Sequence, residues 1–249
     1  MSSHIDLIVR DQCLFADGHE FGDAGAYERL SGTVVFRVDP KAEAQQGVVD
    51  IEFAPTDEDG LVRFEADFCI LKPVDLSRGN RRLFFDYGNR GNKRALQFFN
   101  DAPPSNDPRT LADAGNGFLM RRGYTIAWLG WQGDLLPGDS RMLLKVPVAT
   151  DNGKPITGIA RTEFIAVEPG TKVFPLSSLI STRSNPTASL DTRTARLTRR
   201  RYALSQREEI PSDQWFFARL DQGSGVDNQG LERAVVPSDS HIYLPSGFE

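Results

Sequence analysis

Apolar positions along the chain fall in short, β-branched or aromatic stretches separated by clusters of Gly, Pro, Asn and Asp, the pattern of strands joined by turns. It predicts strands over Thr33–Val38, Leu61–Lys72, Leu83–Tyr87, Thr125–Trp131, Met142–Val148, Arg161–Val167 and Arg193–Tyr202. Helical periodicity is sparse, and its better examples follow Asn92 (Lys93, Arg94, Ala95, Leu96, Phe98, Phe99) and span Gly117–Arg122. Two strand segments stand apart. Leu83-Phe-Phe-Asp-Tyr87 and Thr125-Ile-Ala-Trp-Leu129 are nearly continuous apolar runs, as expected of strands covered on both faces.

A helical crossover within residues 88–123 would make those two strands parallel neighbours in one sheet. The fold class expected is therefore α/β with a β-rich insertion. Residues 1–150 form its core and 151–249, with its turns, short strands and Arg-rich flanks, form the insertion or cap. At 249 residues the chain is short enough for a single continuous core.

Composition narrows the function classes. With 39% hydrophobic and 25% charged residues the chain can bury a core, which excludes a disordered tail or a disulfide-stapled miniprotein. The formal net charge of −5 does not favour nucleic acid as a partner. Between Arg183 and Arg207 seven arginines face one acid, Asp191. A phosphate- or RNA-binding face and a solvated strand face both fit this, and the second is favoured because only Tyr202 interleaves the arginines with an aromatic ring. Cys13 and Cys69 have no metal-ligand spacing and read as reduced core thiols. Residues 1–10 lack the basic and apolar regions of a signal peptide, and no apolar run reaches the ~20 residues of a membrane span. A cytoplasmic location, with no membrane partner, is expected.

Candidate chemistry begins with absences. No serine sits in a G-x-S-x-G elbow: Ser140 follows Gly138 but precedes Met142 at the second position, and Ser224 follows Gln222. Phosphate-loop, dinucleotide, zinc-protease and EF-hand motifs are missing, and His4, His19 and His241 are mutually isolated, so no cofactor and no metal is expected. The informative segment is Asp86-Tyr-Gly-Asn-Arg-Gly-Asn-Lys93, at the carboxyl end of an apolar strand and before a helix, where open α/β sheets bind ligands. Its glycines either let backbone N–H groups around Asn89, Arg90 and Gly91 converge on an oxyanion or simply permit a tight turn. A second glycine-rich end, Trp128-Leu-Gly-Trp-Gln-Gly-Asp134, would face the same crevice, with Trp131 and Gln132 as substrate-pocket walls.

Phe21-Gly-Asp-Ala-Gly-Ala-Tyr-Glu-Arg-Leu-Ser-Gly32, Asn89-Arg-Gly-Asn-Lys93, Asp113-Ala-Gly-Asn-Gly-Phe-Leu-Met-Arg-Arg-Gly-Tyr124 and Trp128–Asp134 resemble the amino-terminal portion of the bacterial alpha/beta hydrolase domain-containing proteins. The resemblance spans essentially the whole chain. It implies the amino-terminal part of an alpha/beta-hydrolase fold, with residues 1–150 supplying its first strands and oxyanion loop. It further implies a serine hydrolase acting on a small-molecule carboxylic ester, whose nucleophile, acid and histidine lie beyond Glu249 in a carboxyl-terminal part, so that this chain alone is inactive. Asn89-Arg90-Gly91 stands where many esterases carry His-Gly-Gly. The alternative is a noncatalytic β-rich binding module with aromatic residues lining a ligand groove.

Overall fold

The computed structural model describes residues 4–168, 170–177, 182–220 and 234–248. The chain divides into two compact units, Met1–Ile156 and Thr157–Glu249.

The first unit is organised by a mixed sheet. Strands β1 (His4–Leu14), β2 (Tyr27–Val38), β3 (Val62–Pro73), β4 (Leu83–Asp86) and β5 (Thr125–Leu129) run in the order β1-β2-β3-β5-β4, and β6 (Leu144–Lys145) adds to β3. β2 and β3 pair antiparallel without a break from Tyr27↔Pro73 to Val38↔Val62. The buried positions of β3 change phase between Phe68 and Cys69, so that Ala66 and Phe68 are buried on one face and Cys69 and Leu71 on the other, and the strand is covered on both sides there. The core collects Phe15, Phe21, Tyr27, Leu71, Leu96, Met120, Ile126 and Trp128. Tyr27 pays for its burial by donating its phenol to the carbonyls of Met120 (3.1 Å) and Tyr124 (2.9 Å). A separate small hairpin pairs β7 (Thr150–Asp151) with β8 (Lys154–Pro155).

The α/β expectation, and with it the alpha/beta-hydrolase fold, is not what the chain adopts. Strand dominates, the sheet is mixed, and among the described residues the α-helices are three short pieces: α1 (Ala95–Phe99), α2 (Leu111–Ala114) and α3 (Phe118–Arg121). β4 and β5 are indeed parallel, from Leu83↔Thr125 to Asp86↔Trp128. Their connection, however, cannot form one long helix. Pro103, Pro104 and Pro108 remove donors, and Gly115 and Gly117 take positive φ, leaving single helical turns.

Other expectations also change. β5 is buried through Ile126, Ala127 and Trp128, but β4 is an edge strand whose outward face shows Leu83 (61% exposed) and Phe85 (37%), followed by Tyr87 (76%). Residues 142–148 hold only the two-residue β6, and 161–167 carry no strand. In 193–202 the strand shrinks to β10 (Leu197–Arg199). Cys69 is buried, whereas Cys13 on β1 is only half-buried, and both are free thiols.

The second unit has its own core of Ile210, Trp215, Phe217, Ile242 and Leu244, so the single continuous core expected is replaced by two. It is assembled from two-stranded pieces: β9 (Thr171–Pro175) with β14 (His241–Phe248), β10 with β11 (Glu208–Ile210), and β12 (Ala218–Leu220) with β13 (Val235–Pro237). Much of the arginine-rich stretch is neutralised locally: Arg193 pairs with Asp191, Arg196 with Glu209, Arg199 with Glu208, and Arg200 and Arg207 with Glu163. Gln222, Ser224 and Glu249 lie outside the described residues. No described helix is long and apolar enough to cross a membrane.

Candidate functional site

The parallel register of β4 and β5 sets their two carboxyl ends side by side, and this adjacency builds the candidate site. Asp86, the last residue of β4, lies opposite Trp128 of β5. Its Oδ2 accepts three hydrogen bonds: from Trp128 Nε1 (2.7 Å) and from the backbone N–H groups of Arg94 (2.9 Å) and Ala95 (2.8 Å). One carboxylate therefore ties the two strands together and satisfies N–H groups at the start of α1, where the local cap residue Arg94 offers no acceptor.

Between Asp86 and α1 the chain makes the Gly88–Lys93 turn, and the end of β5 holds it. Trp131 Nε1 donates to the Gly88 carbonyl (2.9 Å), and Gln132 Oε1 accepts the backbone N–H of Arg90 (2.6 Å). The Arg90 guanidinium reaches Asp134 at 3.7 Å. Thus Asn89, Arg90 and Gly91 share one place with Trp131 and Gln132, the residues singled out from the sequence. Trp131 leaves half of its surface open to solvent.

Two details recast the roles expected of this turn. The N–H of Arg90, an oxyanion-donor candidate, is already committed to Gln132, so an oxyanion there has to displace the glutamine amide or use a neighbouring donor. Gly91 is a glycine for packing and conformation: its φ is +73°, and a Cβ on it would lie 2.6 Å from the Met142 carbonyl oxygen, while Met142 N–H donates to Gly91 C=O at 2.8 Å. Arg90 itself sits in the left-handed region at φ +58°, a costly conformation for a side-chain-bearing residue, retained by the bonds just described.

Beneath the turn lies Lys93, a buried residue whose ammonium donates to the backbone carbonyls of Asn106 and Ser140 (the latter at 3.3 Å). Burial pulls its pKa below the ordinary lysine value and pushes that of the neighbouring Cys69 thiol up. Asn106 accepts from the Lys93 N–H (3.0 Å) and donates to Asn92 Oδ1 (3.0 Å) and Asp139 Oδ2 (3.1 Å). A polar cavity of about 330 Å³ opens among Asn92, Arg94, Ser105, Asn106, Asp139 and Ser140.

The sequence reading missed the roles of Asp86, Lys93 and Asn106. A carboxylate ending an apolar strand a few residues before a helix was the available signal for Asp86. Among the described residues no group of three or more His, Cys, Asp or Glu side chains is placed to hold a metal. His19 packs edge-on against Phe21, with ring centroids 4.9 Å apart. What the site offers chemically is a turn held by the end of the adjacent strand, an exposed indole and a guanidinium; the N–H groups of Gly88, Arg90, Asn92 and Lys93 are already bonded, and among the described residues no nucleophile–base pair stands beside them.

No protein-family model, curated protein or solved structure matches the chain.

Proposed function

We propose that this chain is part of a serine hydrolase acting on carboxylic esters, contributing the substrate crevice at the ends of β4 and β5, while the nucleophile comes from residues outside these 249. The observation that carries the reading is the locked Gly88–Lys93 turn: its backbone is held by Trp131 and Gln132 from the adjacent parallel strand, the preorganisation that stabilising a developing charge requires. The resemblance of the Asn89–Lys93 and Trp128–Asp134 motifs to a hydrolase family supports it. So does the open edge of β4, whose Leu83 and Phe85 give a nucleophile-bearing segment an apolar face to cover. Two free cysteines suit a reducing, cytoplasmic setting.

The test is to read the source DNA past the codon for Glu249 and to label the native gene product with a fluorophosphonate. A label on a serine outside residues 1–249, with Gln132→Ala lowering kcat for p-nitrophenyl acetate about tenfold or more, is the expected result. A stop codon at that point together with no labelling overturns the proposal. Gly91→Val is unsuitable here, since the clash with Met142 would disturb folding rather than chemistry.

A second reading, a noncatalytic β-rich binding module, is favoured by one observation: Gln132 already occupies the Arg90 N–H that an oxyanion would need. It is the reading that remains if labelling fails.

A further inference from the structure

The second unit contains a cleft of about 460 Å³ between the 187–190 loop and the segment joining β13 to β14. The Thr187 N–H donates to the Asp239 carbonyl at 2.7 Å, which fixes one loop against the other. Arg219 from β12 and Asp239 both line this space, yet among the described residues neither side chain takes part in an ion pair or hydrogen bond. That contrasts with arginines 193, 196, 199, 200 and 207 of the same unit, each of which has found a carboxylate. Opposite charges that share a cleft without meeting leave room for a ligand between them.

The floor beside them is polar and internally bonded. Ser238 and Ser240 both approach His241 Nδ1, at 3.3 and 3.1 Å, and approach each other at 3.1 Å. Burial, reinforced by Arg219, holds the His241 pKa below its ordinary value, so the ring is neutral near pH 7 and Nδ1 can accept from a serine hydroxyl. With Nδ1 accepting, two hydroxyl protons serve three mutual contacts, so both serine protons are spent inside the cluster. An entering ligand is therefore met chiefly by the two charged side chains.

We propose that this cleft binds a small zwitterion, a free α-amino acid or a compound carrying the same carboxylate and ammonium groups, with Arg219 taking the carboxylate and Asp239 the ammonium. A simple anion would gain Arg219 but face the Asp239 carboxylate, and a simple cation would meet the reverse penalty; a ligand with both charges satisfies both walls. The volume accommodates a ligand of amino-acid size.

The His241 imidazole is the built-in reporter, because both charged walls act on it electrostatically. In an NMR titration of the full chain at pH 7 with L-alanine, the His241 ring signal shifts saturably, while acetate and methylammonium, each added alone, leave it in place at the same concentration. Arg219→Gln and Asp239→Asn each weaken alanine binding by about tenfold, as expected for losing one charge-assisted contact, and unchanged tryptophan fluorescence shows that the variants remain folded. Acetate binding as tightly as alanine, or Asp239→Asn leaving alanine affinity unchanged, overturns the zwitterion assignment. A His241 signal that responds to none of the three compounds overturns the site itself.

Discussion

Arginine–carboxylate pairs occur in both units, and their settings could hardly differ more. In the first unit Arg29 is buried, with its side chain 6% exposed, and reaches Asp11 at 2.7 Å and Asp107 at 2.6 Å, joining β1, β2 and the loop before α2. Among the described residues its Nε is buried without a hydrogen-bond partner. In the second unit Arg196 and Glu209 meet at a comparable 2.8 Å, but at 73% and 60% exposure. Equal distances therefore carry unequal weight: the buried guanidinium holds segments far apart in sequence, while the exposed pair gains little over two hydrated ions.

The largest effect expected from this contrast is at Arg29. Arg29→Ala removes the buried one of the two arginines that hold Asp11 and Asp107, leaving them the exposed Arg109, and opens a void against the sheet, so unfolding in urea should show a loss of about 2 kcal/mol. That is less than for a fully buried pair, because Asp11 and Asp107 stay roughly two-fifths exposed. A loss below about 0.5 kcal/mol would mean that burial does not set the weight of the pair.

A smaller effect is expected at Lys93 and is read through pH. Burial lowers its folded-state pKa, so between that value and the unfolded value of about 10.4 the unfolded chain binds more protons. Stability conferred at this site therefore rises as pH increases through that window, and the charge is a cost below it. Cys69, raised by burial, works in the opposite sense and is coupled to Lys93, so Lys93→Met is made in a Cys69→Ala background, which serves as the wild type of the comparison. The stability difference, wild type minus variant, should grow from pH 7 to pH 10; a flat or falling difference would show that the ammonium is not disfavoured by its burial. The smallest effect belongs to Arg196→Ala, expected to change stability by no more than about 0.5 kcal/mol, with the change shrinking further in 0.5 M salt.

The same distinction explains what could be read in advance. The strand expected over Leu61–Lys72 differs from β3 by one residue at each end, because apolar residues recur along its whole length after the Gly60 turn, even though the buried face changes between Phe68 and Cys69. β1 escaped notice: its apolar residues Ile5, Leu7, Ile8 and Val9 are all exposed, so burial imposes no clear period on the segment. For Leu83–Tyr87 the position was legible and the burial was not, since an apolar run says nothing about whether a neighbour covers it. At the site, the meeting of Asn89–Gly91 with Trp131 and Gln132 followed from putting two strand ends in one sheet. That Gln132 would take the Arg90 N–H, and that one oxygen of Asp86 would serve three donors, depends on the register Asp86↔Trp128, which no local pattern encodes.

The Asp86 node also has a kinetic consequence. A carboxylate oxygen shared by an indole and two backbone amides couples their release: none of the three protons can be exposed to exchange for long without loosening the anchor of the other two. The end of β4, the ring of Trp128 and the first turn of α1 are therefore expected to open together, with the Trp128 indole proton and the Arg94 and Ala95 amides showing matched exchange protection.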